Sequence, residues 1–275
     1  MLNYIEERLL ILTKTYPIPS GSHIETTCVA AVNDKGEMRR LYPIPFRLLE
    51  QESQFRKWQW IEASIDRASS DKRPESYRVD VDSIILKESV DTKKGWAERR
   101  RLFQPHVSDS FSSLEARRIT TNQSLGILRV SRLITLDIEA NKEVEWNEKR
   151  RAQLARQGLL HSEDIKNRAE LRKLPFNFYY RYEIDTPHGT EKWRHKITDW
   201  EAGRLYWRCM QDYGPKGWET KFRNKLESEF ASKDLHLLMG TMHRFQNQWL
   251  IIGLIYPPKP SLDEEPLQSG FDLQF

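Results

Sequence analysis

The chain has 275 residues, of which 38% are hydrophobic and 31% charged, and its formal net charge is +4. So many bulky side chains exclude a disordered chain, because their burial offsets the entropy lost on folding. The longest apolar run, Leu250–Tyr256, falls far short of the roughly 20 residues of a membrane span. With only Cys28 and Cys209, and acid where a signal peptide carries base, we expect a cytoplasmic protein without a disulfide framework.

The first ninety residues predict a small β-barrel. Alternating polar and apolar positions and β-branched side chains predict strands, with a short helix after the third. The predicted elements are strands at 8–16, 25–33 and 37–42, a helix at 46–55, and strands at 57–66 and 76–87. Asn33 to Gly36 form a hairpin signal, and Pro43 and Pro45 should end the third strand because proline cannot donate to a ladder.

A polar, helix-rich connection follows over residues 92–123. From Lys93 to Arg132, nine Lys or Arg residues stand against three acids, a net charge of +6. Arginine forms the densest run, and a guanidinium can bind phosphate oxygens through two donors. This distribution favours a phosphate-binding surface; the alternative is a solvated helical surface.

Residues 124–258 repeat the order of the first part. The predicted elements are strands at 125–139, 176–185 and 191–197, helices at 199–213 and 216–231, and strands at 234–241 and 248–256. A charged insertion at 143–173 interrupts them. Asp199 is a good helix N-cap, and Gly214 followed by Pro215 is a stop signal.

The fold class predicted from this order is α+β. Three strands, a helix and two strands are the order of a small OB-type barrel, and the order occurs twice. We therefore predict two small OB-like β-barrels, at 1–91 and 124–258, joined by a basic helical segment at 92–123 and followed by an acidic flexible tail at 259–275. A single larger α+β domain is the alternative.

Aromatic side chains on outward faces suggest where a ligand would stack. If Ile61 and Ile65 face the core, strand alternation turns Trp58 and Trp60 away from it. Exposed aromatics on a barrel are platforms for unpaired bases, unless helices or the second barrel cover them. On the helix after Asp199, a face containing Trp200, Arg204 and Trp207 lies opposite the core stripe, where it meets the first barrel, a partner or nucleic acid.

The segments Glu25–Ala30 and Arg40–Pro43 carry a family resemblance. Over about the first ninety residues the chain resembles uncharacterised bacterial dual OB-domain proteins, also described as nucleotide-modification-associated and linked to phage defence. The resemblance implies nucleic acid as the ligand and assigns no residue a role. The predicted nucleic-acid-binding residues are Arg39, Arg40, Arg47, Trp58, Trp60, Arg73, Tyr77, Arg78, Arg99, Arg100 and Arg101.

Signatures of catalysis are weak. The chain has no Walker loop, dinucleotide fingerprint or zinc-protease motif. The catalytic candidates are Asp80 and Asp82, whose carboxylates suit a metal-dependent nuclease, and His195 and Asp199, an imidazole near an acid. We predict no cofactor; a divalent metal enters only under the nuclease interpretation.

The last residues suggest a docking peptide. Residues 270–275 resemble the bacterial sliding-clamp-binding peptide, with Gly270 in place of its glutamine, and Phe271, Leu273 and Phe275 would contact the clamp. The alternative is a tail that folds back on the chain or stays loose.

Three functions remain open from the sequence. The first is a nucleic-acid-binding protein that recognises single-stranded or modified DNA in phage defence or repair. The second is a DNA-processing enzyme, either a nuclease or a base-excising glycosylase. The third is a protein-interaction adaptor that uses the Trp200 face and the tail.

Overall fold

The structure, a computed structural model, describes residues 3–160 and 162–260. The predicted clamp-contacting residues Phe271, Leu273 and Phe275 lie outside the described residues. Among the described residues, no helix is both long enough and apolar enough to cross a membrane.

The N-terminal strands close into a barrel. The seven strands are β1 (Ile5–Lys14), β2 (Ile18–Ser20), β3 (Ile24–Asn33), β4 (Met38–Ile44), β5 (Gln59–Arg67), β6 (Ser76–Val79) and β7 (Ile85–Ser89). Five of them form a ring in the order β1-β3-β4-β6-β5 and back to β1, in which β4–β6 is the parallel pair. This is OB connectivity, so the α+β class and the five-stranded barrel are confirmed.

Three local predictions in this barrel need correction. Strand β4 continues through Pro43, because a bulge against β3 leaves that position without a ladder bond to make. The predicted helix at 46–55 is reduced to two 3-10 turns, Phe46–Leu48 and Gln51–Ser53. The predicted strand at 76–87 is split into β6 and β7 by a 3-10 turn, Val81–Ser83.

The remaining elements form the connection and a second sheet. They are helices α1 (Lys93–Phe103) and α2 (Phe111–Thr121), strands β8 (Val107–Ser108), β9 (Leu125–Arg129) and β10 (Arg132–Ala140), helices α3 (Glu148–Ala155) and α4 (Glu163–Lys166), strands β11 (Phe176–Thr186) and β12 (Gly189–Ile197), helix α5 (Trp200–Arg223), and strands β13 (His236–Thr241) and β14 (Trp249–Ile255). Helix α5 is interrupted at Gly214, where φ is 66°.

The second sheet repeats the connectivity of the first. Its order is β10-β11-β12-β14-β13-β9-β8, with β12–β14 parallel. Strands β9 and β10 are consecutive, and at the bend between them Val130 bonds to Leu235 while Ser131 bonds to Glu183. Strands β9 and β10 can therefore be counted as one bent strand. Because β10 pairs with β11 at one end of the sheet and β9 pairs with β13 at the other, this bent strand closes the sheet into a second barrel. Helix α5 lies between the third and fourth strands, the position of the helix in an OB fold.

The two barrels pack directly against each other. Leu10, Leu12 and Val32, on the outside of the first barrel, share a buried apolar cluster with Leu238 and Ile252 of the second. This layer is separate from the interior of each barrel. The helical connection is therefore not a spacer, because the barrels share a core of their own.

Candidate nucleic-acid interface

Two of the predicted phosphate-binding arginines hold the barrels together. Arg40 is 3% exposed and donates to the Ser124 carbonyl at 2.8 Å. Arg73 is 4% exposed, donates to Asp71 at 2.9 Å and to the Thr241 carbonyl at 2.9 Å. The prediction that Arg40 and Arg73 bind phosphate is wrong, because both guanidinium groups are buried against the second barrel.

Other predicted contacts in the first barrel are also internal. Arg39 is buried, pairs with Glu7 through two bonds of 2.8 Å and lies over the Tyr77 ring. Arg47 is half-buried and pairs with Glu25 at 3.1 Å. Arg39 is therefore already paired and not placed to bind phosphate, and the Tyr77 ring is half-buried, with the Arg39 and Arg67 guanidinium groups 4.8 and 5.7 Å from its centre.

The Arg99–Arg101 run does not form one cationic surface. Arg99 donates twice to a backbone carbonyl, and Arg100 pairs with Asp234 at 2.7 Å. Arg101 is exposed, as is Arg78 in the first barrel. These arginines therefore do not converge on one phosphate-binding surface, because Arg99 and Arg100 are bonded to separate internal partners.

The two tryptophans of the first barrel face away from its interior, as alternation predicted, but they are not open platforms. Trp58 is 3% exposed and its ring lies 5.9 Å from that of Trp96 and 6.1 Å from that of Phe103. Trp60 is half-buried, and the Arg8 guanidinium lies 4.8 Å from the centre of the Trp60 ring. Stacking on Trp58 is excluded, because the apolar layer between the barrels encloses it.

The catalytic candidates have structural roles. Asp80 caps the 3-10 turn by accepting from the backbone of exposed Asp82 at 3.2 Å. Asp199, 2% exposed, caps α5 through the Ala202 amide at 3.0 Å and accepts from the Thr13 hydroxyl at 3.1 Å. Within residues 3–160 and 162–260, no three His, Cys, Asp or Glu side chains could hold a metal together.

His195 is a buried structural imidazole. Its Nδ1 lies 2.9 Å from the Tyr182 hydroxyl and its ring centre 4.7 Å from that of Phe111. Burial lowers its pKa to about 4. An imidazole whose Nδ1 is bonded to Tyr182 and whose ring packs against Phe111 is not placed to act as a base on a ligand.

We expect His195 to make the protein acid-sensitive. The unfolded state takes up this proton near pH 6.5 and the folded state only near 4, so its contribution to stability is lost as pH falls from 6.5 to 4. The loss reaches about 3 kcal/mol. Denaturant unfolding between pH 7 and 4 should therefore give a shallower acid slope for His195→Gln than for the unmodified chain; parallel slopes would contradict it.

A groove on the outer side of α5 brings arginines and indoles together. We call it the α5 groove; it encloses about 700 Å³. Its lining residues are Arg172, Trp200, Glu201, Arg204, Leu205, Trp207, Arg208, Gln211 and Asp212. The helical spacing of Trp200, Arg204 and Trp207 predicted this face. Arg172 comes from the insertion before β11, and no sequence pattern indicated that it would line the same groove.

The first barrel fixes the floor of the α5 groove. The Trp207 indole donates to the Tyr16 hydroxyl at 2.9 Å, and that hydroxyl donates to the Arg172 carbonyl at 2.9 Å. Burial raises the pKa of Tyr16, which keeps this proton in place. Gly203 permits the close approach of α5, since a Cβ there would lie 2.2 Å from the Tyr16 ring.

The guanidinium groups of the α5 groove face its indoles. Arg172 lies 3.7 Å above the centre of the Trp207 ring, and Arg204 lies 5.7 Å from that of Trp200. The acids of the groove are already partnered, Glu201 with a lysine at 3.5 Å and Asp212 with Arg208 at 3.8 Å. Among the described residues, no carboxylate lies within salt-bridge distance of Arg172 or Arg204.

Family models divide the chain within the helical connection, between α1 and β8. A model described as Domain of unknown function (DUF8758) matches residues 5–105, and one described as Domain of unknown function (DUF8757) matches residues 107–273, more than half of the chain. The chain belongs to the DUF8757 family. In this DUF8757 protein the first barrel lies within the region that the DUF8758 model matches, and the second barrel and the α5 groove lie within the region that the DUF8757 model matches.

Comparison with characterised proteins adds little to this assignment. No curated protein matches the chain. Among solved structures, it is similar to a chain of a replication protein A heterotrimer bound to ssDNA, with 9% identity and a TM-score of 0.24. The match covers 93% of this chain and 66% of the other. The OB assignment therefore rests on the strand order alone.

Proposed function

We propose that this DUF8757 protein binds single-stranded nucleic acid in the α5 groove. The observation that carries the proposal is the pair of guanidinium groups, Arg172 and Arg204, that face indole rings without a carboxylate partner among the described residues. Unpaired bases stack on aromatic rings, and arginines bind the phosphates between them. Neither feature requires a particular base, so the proposed binding is tolerant of sequence.

The composition of the α5 groove favours a nucleic acid over a protein partner. Arginine and tryptophan are common in protein interfaces as well, but three arginines against two acids make the lining net cationic, which suits a polyanion. Duplex DNA hides its bases inside the stack, so the indoles would be of use only with a single strand.

Replacement of Trp207 by leucine should weaken binding of a labelled oligothymidylate about tenfold. Loss of one stacked base costs about 1–3 kcal/mol, and 1.4 kcal/mol corresponds to a factor of ten. Fluorescence anisotropy at constant salt measures the change. Trp207→Phe is the matched control, because it also loses the bond to Tyr16 but keeps an aromatic ring, and it should stay within about threefold of the unmodified protein.

Binding that is equal for Trp207→Leu and Trp207→Phe would remove stacking from the proposal. The absence of single-strand binding at low salt, for both DNA and RNA, would reject the proposal as a whole. A role in phage defence and the recognition of modified bases, which the resemblance of Glu25–Ala30 and Arg40–Pro43 suggests, and a role in repair are further parts of this proposal.

A further inference from the structure

The outward side of the second barrel carries a row of cations on β12. Tyr180 and Tyr182 of β11 are fully buried, so Tyr179 and Arg181 point outward. Tyr179 pairs in register with Lys196 and Arg181 with Arg194. We call the alternating outward residues Lys192, Arg194 and Lys196 the β12 stripe.

Charges are unevenly distributed across this side. Asp137 of β10 accepts from Arg194 at 2.6 Å and from Arg181 at 2.8 Å, and Glu183 of β11 lies 3.3 Å from Lys192. Lys196 has no carboxylate within salt-bridge distance among the described residues, and Arg194 lies 3.8 Å from the centre of the Tyr179 ring. Lys196 is therefore the unpaired cation of the β12 stripe among the described residues, and beside it Arg194 lies over the ring of Tyr179 on the neighbouring strand β11, an arrangement like that in the α5 groove.

Short stretches of chain connect the β12 stripe to the α5 groove. Lys196 precedes Trp200 of the groove by four residues, which span at most about 14 Å. Strand β12 extends the row by about another 13 Å to Lys192. At about 3.4 Å for each stacked nucleotide, the two surfaces together correspond to roughly eight nucleotides.

The first barrel offers no equivalent surface. In the OB order of the first barrel, β3 and β4 are the second and third strands. Their outward side lies against the second barrel, with Ala30 in the shared apolar cluster and Arg40 bonded to Ser124. A nucleic-acid strand that leaves the α5 groove and crosses the outward side of the second and third OB strands can therefore do so only on the second barrel.

We propose that a single strand bound in the α5 groove continues along the β12 stripe, so that the ligand is a single-stranded nucleic acid of about eight nucleotides or more. This inference rests on the proposed function. Two linked contact regions raise the affinity for a strand that reaches both, and add nothing for a strand that reaches one.

The test compares oligothymidylates of four and twelve nucleotides on the double variant Arg194→Gln with Lys196→Gln. Asp137 keeps its bond to Arg181 in this variant. Arg194 is already paired with Asp137, so the variant removes the one unpaired phosphate contact, that of Lys196, and should lower the slope of log affinity against log salt by about 0.7 for the longer strand. We expect about tenfold weaker binding of the twelve-mer and a change of less than twofold for the four-mer.

The matched control removes two exposed cations from the first barrel, Lys35→Gln with Lys72→Gln, and should leave both oligonucleotides unaffected. A second variant, Lys192→Gln with Lys196→Gln, spares the Arg194 network and should reproduce the length-dependent loss. Equal losses for both lengths, or no loss for the twelve-mer, would overturn the β12 path. Failure of the unmodified protein to bind either strand would instead reject the proposed function.

Discussion

Replacing Arg172 and Arg204 together by alanine should weaken single-strand binding about a hundredfold. Each guanidinium faces an indole and has no carboxylate partner among the described residues, so it is free to bind phosphate. A hydrogen bond to a charged group contributes about 1.5 kcal/mol or more, and two such losses correspond to about a factor of a hundred. Anisotropy titrations at several salt concentrations should also show a slope smaller by about 1.4.

The control for this variant is Lys35→Ala with Lys72→Ala, which removes the same charge from the first barrel. If binding depended only on the overall net charge of the chain, both pairs would weaken it equally. Affinity of the Arg172 and Arg204 variant within threefold of the unmodified protein would mean that the α5 groove is not the binding surface. Both arginines are exposed, so their loss should leave thermal unfolding unchanged.

Local features of the fold could be read from the sequence. The turn at Asn33–Gly36 forms a hairpin between β3 and β4, and Asp199 caps α5 as predicted. Both depend on residues within a few positions of each other, whose geometry is set by the backbone. The order of strands around each barrel followed from the number and spacing of these local elements.

Long-range partners could not be read in this way. Arg40 and Arg73 bind backbone carbonyls that lie 84 and 168 positions further along the chain. Arginine near aromatics is equally typical of a phosphate site and of an internal contact, so its type alone cannot separate them. For the same reason the helical spacing of α5 predicted an outward aromatic face but not Arg172, which the insertion brings to it.

The sequence predicted that Trp58 points away from the barrel interior, but not that other parts of the chain bury its ring. Alternation defines which side of one sheet a residue occupies, and it contains no information on a second sheet packed against that side. In this protein the second barrel and α1 cover the first barrel, and the ring becomes core. Arg40 and Arg73 were misread because they belong to the same covered surface.

Trp58→Ala should therefore lower the free energy of unfolding by about 3–5 kcal/mol, the usual cost of removing a large buried aromatic. Its ring is enclosed by Trp96 and Phe103, and the Arg99 guanidinium lies 5.1 Å from its centre. Chemical denaturation measures the loss. Trp60→Ala, at a half-buried site, should cost less than half as much.

Binding measurements on the same two variants separate a core role from a ligand role. Below the denaturation range, Trp58→Ala should bind oligothymidylate like the unmodified protein, because Trp58 lies in the layer between the barrels and is not among the groove lining. Weaker binding with unchanged stability would instead restore Trp58 as a stacking platform. That result would also require the two barrels to separate in solution, since only then would the ring meet a base.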